Sequence, residues 1–352
     1  MKTLWIRNLL VPIDFSPMSI ESIAKAKEVA QQSGAAIHLV HVHHQQYPVT
    51  FMGPVLSSGR PAISFEEYRV TALGEDLRDV ARRNNLSADS VHLCEGASVY
   101  HEICRLAQGI RADLIVMPTH GRTGLRHTFL GSTAERVVRH SPCPVLVTRV
   151  GKEKKAKAAP GKIAPARART ILVPIDFSEA SSAGLNYAIE FAERAGAKLI
   201  ILHSVYVGDE LSTDGLGVYR FSDVRQVARE EAERQLEAFL RPVQFGRVQF
   251  ETLLKTGHPV AEICAVAEQH RVDLIITATH GRTGFAHLLI GSVAEQVVRR
   301  ASQSVLVVPS HPETRVKELK QVVRQGNRRR DSGAKRSIAA PQLTSSARTL
   351  TI

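Results

Sequence analysis

Val11-Pro12-Ile13-Asp14-Phe15-Ser16 decides the reading of this chain, because it returns 162 residues later as Val173-Pro174-Ile175-Asp176-Phe177-Ser178. Leu9 to Ile13 is a continuous apolar run closed by an aspartate. Such a run suits a strand buried on both faces, as in a parallel sheet. Pro12 belongs at the strand's end, since proline cannot donate into the ladder. Ser16 and Pro17 then open a helix, and Gly34 stops it. Strand, tight turn and helix make the first half of a βαβ unit.

The pattern continues outward from that stretch. Strands are expected at 37–42, 91–94, 113–117 and 145–148, with helices at 65–83, 99–107 and 132–139. The second copy predicts strands at 171–175, 198–203, 248–253, 273–277 and 305–308. Thr119-His120-Gly121-Arg122-Thr123-Gly124 returns as Thr279-His280-Gly281-Arg282-Thr283-Gly284, and Gly131-Ser132 as Gly291-Ser292, now at an offset of 160. A repeat of that length is a whole domain. Alternating strands and helices imply right-handed crossovers and a doubly wound parallel sheet in each copy. The expected division is a first domain at 1–150, a linker at 151–168, a second domain at 169–310 and a tail at 311–352.

Charge separates the domains from their connections. The chain carries a formal +12, of which residues 151–169 supply +6 and residues 311–352 supply +7. The two repeats are therefore close to neutral, which argues against a nucleic-acid platform on the folded surface. The Lys-, Ala- and Pro-rich linker reads as flexible. In the tail, Val316, Leu319, Val322 and Val323 fall at helical spacing, and disorder is expected from Asn327 onward. Such a tail suits contact with acidic protein, RNA or a membrane surface, and the competing reading is a solvated tail that aids solubility. No apolar stretch is long enough to span a membrane. Cys94, Cys104, Cys143 and Cys264 form no CxxC pair and read as buried thiols. The expected compartment is a reducing cytoplasm, with no signal peptide.

The best candidate for chemistry is the loop after the fourth strand. Gly121, nine residues, then Gly131-Ser132 opens onto a helix, and Gly281, nine residues, then Gly291-Ser292 does the same. Amide groups at a helix N-terminus attract anions, and glycine admits a phosphate closely. Ser132 and Ser292 are expected to cap the helix and to offer a hydroxyl, and Arg122 and Arg282 to add charge. The competing reading is a turn and cap with no ligand. His120 and His280 flank the loop without an evident nucleophile or carboxylate partner, so they read as structural or ligand-adjacent. His41 and His43 share a strand face, whereas His44 begins a loop, so the His38–His44 group reads as strand-end histidines rather than a metal site. No GxGxxG follows strand one and no GKS or GKT occurs, so the dinucleotide and P-loop readings fail.

These residues together resemble a tandem universal stress protein, over roughly 3–150 and 168–310. The resemblance rests on Val-Pro-Ile-Asp-Phe-Ser, on Leu-Val-His-Val or Ile-Leu-His-Ser in strand two, on Thr-His-Gly-Arg-Thr-Gly with Gly-Ser, and on the last strand of each copy. It implies strand order 3-2-1-4-5 in each domain. It also implies pairing of the two domains inside the chain through the last strands 145–148 and 305–308, with a homodimer of the whole chain as a further expectation. The family's nucleotide-binding members carry Gly, two residues, Gly, nine residues, Gly-Ser/Thr. The second and third glycines are kept in both copies, but the first is Pro118 in one and Ala278 in the other. By the same resemblance Asp14 and Asp176 would lie near adenine or ribose. Val42 and Ser204 would edge the base pocket, and Met117 and Thr277 would line it. The implied function is a cytoplasmic stress-response protein that binds ATP or another adenine nucleotide, with Mg as companion, in at least one domain. It would act by conformation or partner contact, with slow hydrolysis at most. Two alternatives stay open. One is a scaffold with empty pockets or another ligand. The other is an ATP-dependent ligase, which would need an SGG-type loop where Asp14-Phe15-Ser16-Pro17 and Asp176-Phe177-Ser178-Glu179 stand.

Overall fold

The computed structural model describes residues 6–44, 65–119, 130–149, 169–206, 221–279, 291–309 and 350–351. Strand β1 (Asn8–Pro12) buries Leu9, Leu10 and Val11 completely. Helix α1 (Pro17–Ser33) follows at once. Ser16 accepts from the Ser19 N–H as its cap, and Gly34 ends it at φ 70°. A left-handed φ at a helix end is the conformation glycine adopts without Cβ strain. The repeat continues through β2 (Ala36–His44), α2 (Phe65–Arg83), β3 (Val91–Gly96), α3 (Val99–Gly109), β4 (Leu114–Pro118), α4 (Ser132–His140) and β5 (Val145–Thr148).

The second copy runs β6 (Thr170–Pro174), α5 (Glu179–Ala195), β7 (Lys198–Val205), α6 (Phe221–Leu240), β8 (Phe250–Thr256), α7 (Pro259–Gln269), β9 (Leu274–Ala278), α8 (Ser292–Arg300) and β10 (Ser304–Val308). A last short strand, β11, is Leu350–Thr351. All of these strands form one eleven-stranded sheet in the order β11-β3-β2-β1-β4-β5-β10-β9-β6-β7-β8. The first domain therefore has order 3-2-1-4-5, and the second repeats it. Within each repeat the strands are parallel, and the two halves meet at an antiparallel pair, Val305 opposite Val147 and Leu306 opposite Leu146. Each sheet face carries one apolar cluster that runs through both repeats. Helices α1, α2, α5 and α6 cover one face, and α3, α4, α7 and α8 cover the other.

The structure adjusts several expectations. β8 lies two to three residues later than predicted, because its first residues are exposed at the sheet edge and give little apolar pattern. His44 closes β2 instead of starting a loop, since it stays in register beside Gly96. Leu350 and Thr351 pair with Leu93 and His92, within a stretch read as disordered. Cys94, Cys104 and Cys143 are buried, whereas Cys264 is only half-buried. Burial pushes the Cys94 thiol up to about 11 and the Cys143 thiol up to about 12, and it also raises Cys264. Such thiols hold no reactive thiolate at neutral pH. The linker and the Val316–Val323 stripe lie outside the described residues.

Candidate functional site

The carboxyl ends of β6, β7 and β9 meet the first turn of α8 around a cavity of about 220 Å³. Asp176 follows β6, Ser204 sits on β7, Thr277 and Ala278 end β9, and Gly291 and Ser292 begin α8; all six line it. Ile175, Leu202, Ile263 and Val293 supply apolar wall. This is where ligands bind in doubly wound sheets, because crossovers to opposite faces leave a crevice beyond the strand ends.

The turn after strand one is built alike in both repeats. Asp176 Oδ1 accepts from the Ser178 N–H at 3.1 Å and the Ser178 hydroxyl at 2.6 Å, and also from the Ser181 hydroxyl. Asp14 Oδ1 accepts from the Ser16 N–H at 3.0 Å and its hydroxyl at 2.6 Å. The residue between is forced left-handed, with Phe15 at φ 62° and Phe177 at φ 64°. A bulky side chain is rare there and persists only when its surroundings hold it. A histidine does so: the Phe177 ring lies 4.2 Å from His203, whose Nδ1 donates to the Ile175 carbonyl at 2.9 Å. Phe15, His41 and Ile13 repeat this at 4.7 and 2.7 Å. His41 and His203 are thus turn braces.

The start of α8 has no side-chain cap. Its N-cap is Gly291, which makes no side-chain capping bond, while the Gly291 N–H donates to Thr279 O at 2.5 Å. Ser292 is therefore the first helical residue rather than the cap, a correction that applies equally to Ser132 after Gly131. The expectation failed because Gly-Ser suits either register, and the bond from the glycine amide to the threonine just past the preceding strand fixes the glycine outside the helix. A helix start without a side-chain cap leaves first-turn amides for an outside acceptor.

Asp14, Val42, Met117, Gly131 and Ser132 occupy the equivalent positions in the first repeat. There Val42 and Met117 are buried members of the apolar core, and Pro118 is the buried last residue of β4. In the second repeat Ser204 donates to the Gly257 carbonyl at 2.7 Å, and Thr277 borders the cavity. Gly121, Arg122, Gly281 and Arg282, with His120 and His280, lie outside the described residues. Ser181, Pro259 and Ile263 also line the cavity and were not singled out from sequence. The Ser-x-x-Ser spacing of Ser178 and Ser181 carried the signal for the first of these. Among the described residues no three His, Cys, Asp or Glu side chains gather as a metal site, and no helix is long and apolar enough to cross a membrane.

Two doubly wound halves joined edge to edge, each with a glycine-started helix at the switch point, define the class of molecule. The sequence profile of the universal stress protein family matches residues 6–149 and 167–309, so the chain belongs to that family. A universal stress protein of Mycolicibacterium smegmatis is 25% identical over 310 residues, spanning 86% of this chain and 96% of that one. Universal stress protein MJ0577 of Methanocaldococcus jannaschii is 30% identical over 155 residues, covering 40% of this chain and 94% of its own. The crystal structure of a universal stress protein from Archaeoglobus fulgidus shares the fold, with a TM-score of 0.56 at 18% identity, over 88% of this chain and all of that one.

Proposed function

We propose that this chain binds an adenine nucleotide such as ATP in the cavity of its second repeat and acts through conformation or partner contact. The observation that supports this most is the combination at one place of a strand-end cavity and a helix start without a side-chain cap. The cavity's 220 Å³ is small beside the roughly 300–1,000 Å³ of sites that enclose whole ligands. It suits a base and sugar, with the phosphates lying outward against the α8 amides. Ala278 takes the position of the family's first glycine and adds only a methyl group, whereas proline at that position removes an N–H. Ser292 would offer a hydroxyl to a phosphate, and Mg would travel with the nucleotide.

A scaffold reading competes, and one observation favours it. Asp176 Oδ1 and the Ser204 hydroxyl are already engaged within the protein. Equilibrium dialysis of the intact chain against ATP separates the two. Saturable binding near one nucleotide per chain supports the nucleotide reading. No retention at millimolar ATP leaves the scaffold. Native mass spectrometry of protein as purified would show any other small molecule in the cavity.

A further inference from the structure

Arg149 is the last described residue before the linker, and it reaches into the other repeat. Its Nη2 donates to the carbonyl of Val298, in the last turn of α8. The final carbonyls of a helix lack intrahelical partners. At α8 the Val297 carbonyl is taken by the Ala301 N–H at 2.9 Å, and the next is taken by Arg149. A guanidinium there also meets the negative end of the helix dipole. A second contact crosses the seam nearby: Glu135 of α4 lies 3.5 Å from Arg299 of α8, and Arg299 also holds Glu295 at 2.6 Å.

The clamp is one-sided. The repeat offset of 160 puts Pro309 where the second repeat would need its own Arg149, and proline has no side-chain donor. That position therefore gives α4 no matching bond. The clamped helix is also the one whose first residues line the described cavity. Its nine residues span only about 13 Å, so a hold at one end fixes the direction of the amides at the other.

We infer that Arg149 is a positioning residue through which the first repeat tunes anion binding at the start of α8. The inference rests on the nucleotide reading above and names its regulation. Coupling of this kind is reciprocal: if the seam strengthens nucleotide binding, nucleotide strengthens the seam by the same factor.

Titration calorimetry on the intact chain, with ATP and with adenosine, tests this. Arg149→Ala should weaken ATP about fivefold, at the low end of ordinary coupling, and leave adenosine unchanged, because adenosine presents no phosphate to α8. Arg149→Lys should restore most of the loss, since lysine keeps the donor and the charge. With the linker nicked near Lys155, ATP should lower the concentration at which wild-type halves separate and do nothing for Arg149→Ala. If Arg149→Ala proves misfolded, Arg149→Gln keeps an amide donor without charge and should show a smaller ATP-selective loss. A folded alanine variant that binds ATP as wild type does overturns the inference. Equal losses of ATP and adenosine also overturn it, because they reveal a merely structural role. A wild-type chain that binds neither overturns the nucleotide reading itself, and the inference with it.

Discussion

The two repeats are one fold with two different floors under the same strand ends. At positions two residues past the end of β1 and β6 they agree: Asp14 and Asp176 make the same turn, with the same strained phenylalanine and the same histidine brace. Further across they part. The first repeat places Val42, Met117 and Pro118 where the second has Ser204, Thr277 and Ala278. Behind them, Ser22 and Thr148 share a buried hydrogen bond at 3.2 Å, and Thr148 donates to the Met117 carbonyl at 3.3 Å. The second repeat has Gly184 and Val308 at those positions, and α5 comes close enough that a Cβ on Gly184 would stand 3.5 Å from Ala278. A duplicated domain thus keeps the elements that set the fold and varies those that fill the pocket.

The largest effect should come from the helix start. Gly291→Asp is expected to abolish ATP binding in dialysis, while Gly131→Asp changes it little. Both glycines have N-cap geometry with ordinary negative φ, and aspartate is a better cap than glycine by a few tenths of a kcal/mol. The variants should therefore be at least as stable as wild type, which isolates the carboxylate–phosphate repulsion. Loss of binding in Gly131→Asp and retention in Gly291→Asp would reverse the comparison. Next in size, Ala278→Pro should weaken ATP by about tenfold or more, from a lost N–H and an added ring in the cavity wall. Pro118→Ala alone should leave the stoichiometry at one, because Val42 and Met117 remain. A second bound nucleotide in that variant would put the whole difference on the proline.

A third contrast concerns acid. His38 and His92 share a hydrogen bond at 3.1 Å in the first repeat, where the second has Ile200 and Leu253. Burial lowers both histidines from the ordinary 6.5, and His38 lowers His92 further. The unfolded chain therefore takes up these protons first, so the stability they permit is present above about pH 6.5 and is lost as pH falls below it. Melting temperature measured from pH 7 to 5 should fall for wild type and fall less for His38→Ile with His92→Leu. Equal slopes would clear the histidines of any part in acid sensitivity. The smallest effect should be Gly184→Ala, which places its methyl in ordinary van der Waals contact and gains up to about 1 kcal/mol of helix propensity. Thermal unfolding should move up by a few degrees, and a drop would show that α5 needs its close approach.

Much of this was legible in the chain. The recurrence of Val-Pro-Ile-Asp-Phe-Ser and of Gly-Ser located both first strands and both late helices. The bounds of α2 and β5 match their expected residues, because a 3.6-residue period and a short apolar run leave little freedom. The site was legible only as types. Aspartate, serine and glycine could be assigned to the strand ends, but whether Ser292 caps or begins α8 depended on a bond from Gly291 to Thr279, twelve residues away in sequence. β8 was misplaced because an exposed edge strand carries no clean alternation.

By itself the sequence determined the duplication, the parallel α/β class, the family and the near-neutral domains between basic segments. These follow from local periodicity and from residues repeated at fixed offsets. Only the tertiary structure decided how the halves differ. It showed that Met117 and Val42 pack into core, that Ser22 and Thr148 share a buried hydrogen bond where the second repeat has Gly184 and Val308, and that Arg149 crosses the seam to α8. Such facts depend on which side chains meet across the sheet. Pairing between residues more than a hundred positions apart leaves no trace in local pattern, because nothing in the order of the chain states which distant groups will satisfy one another once water is excluded.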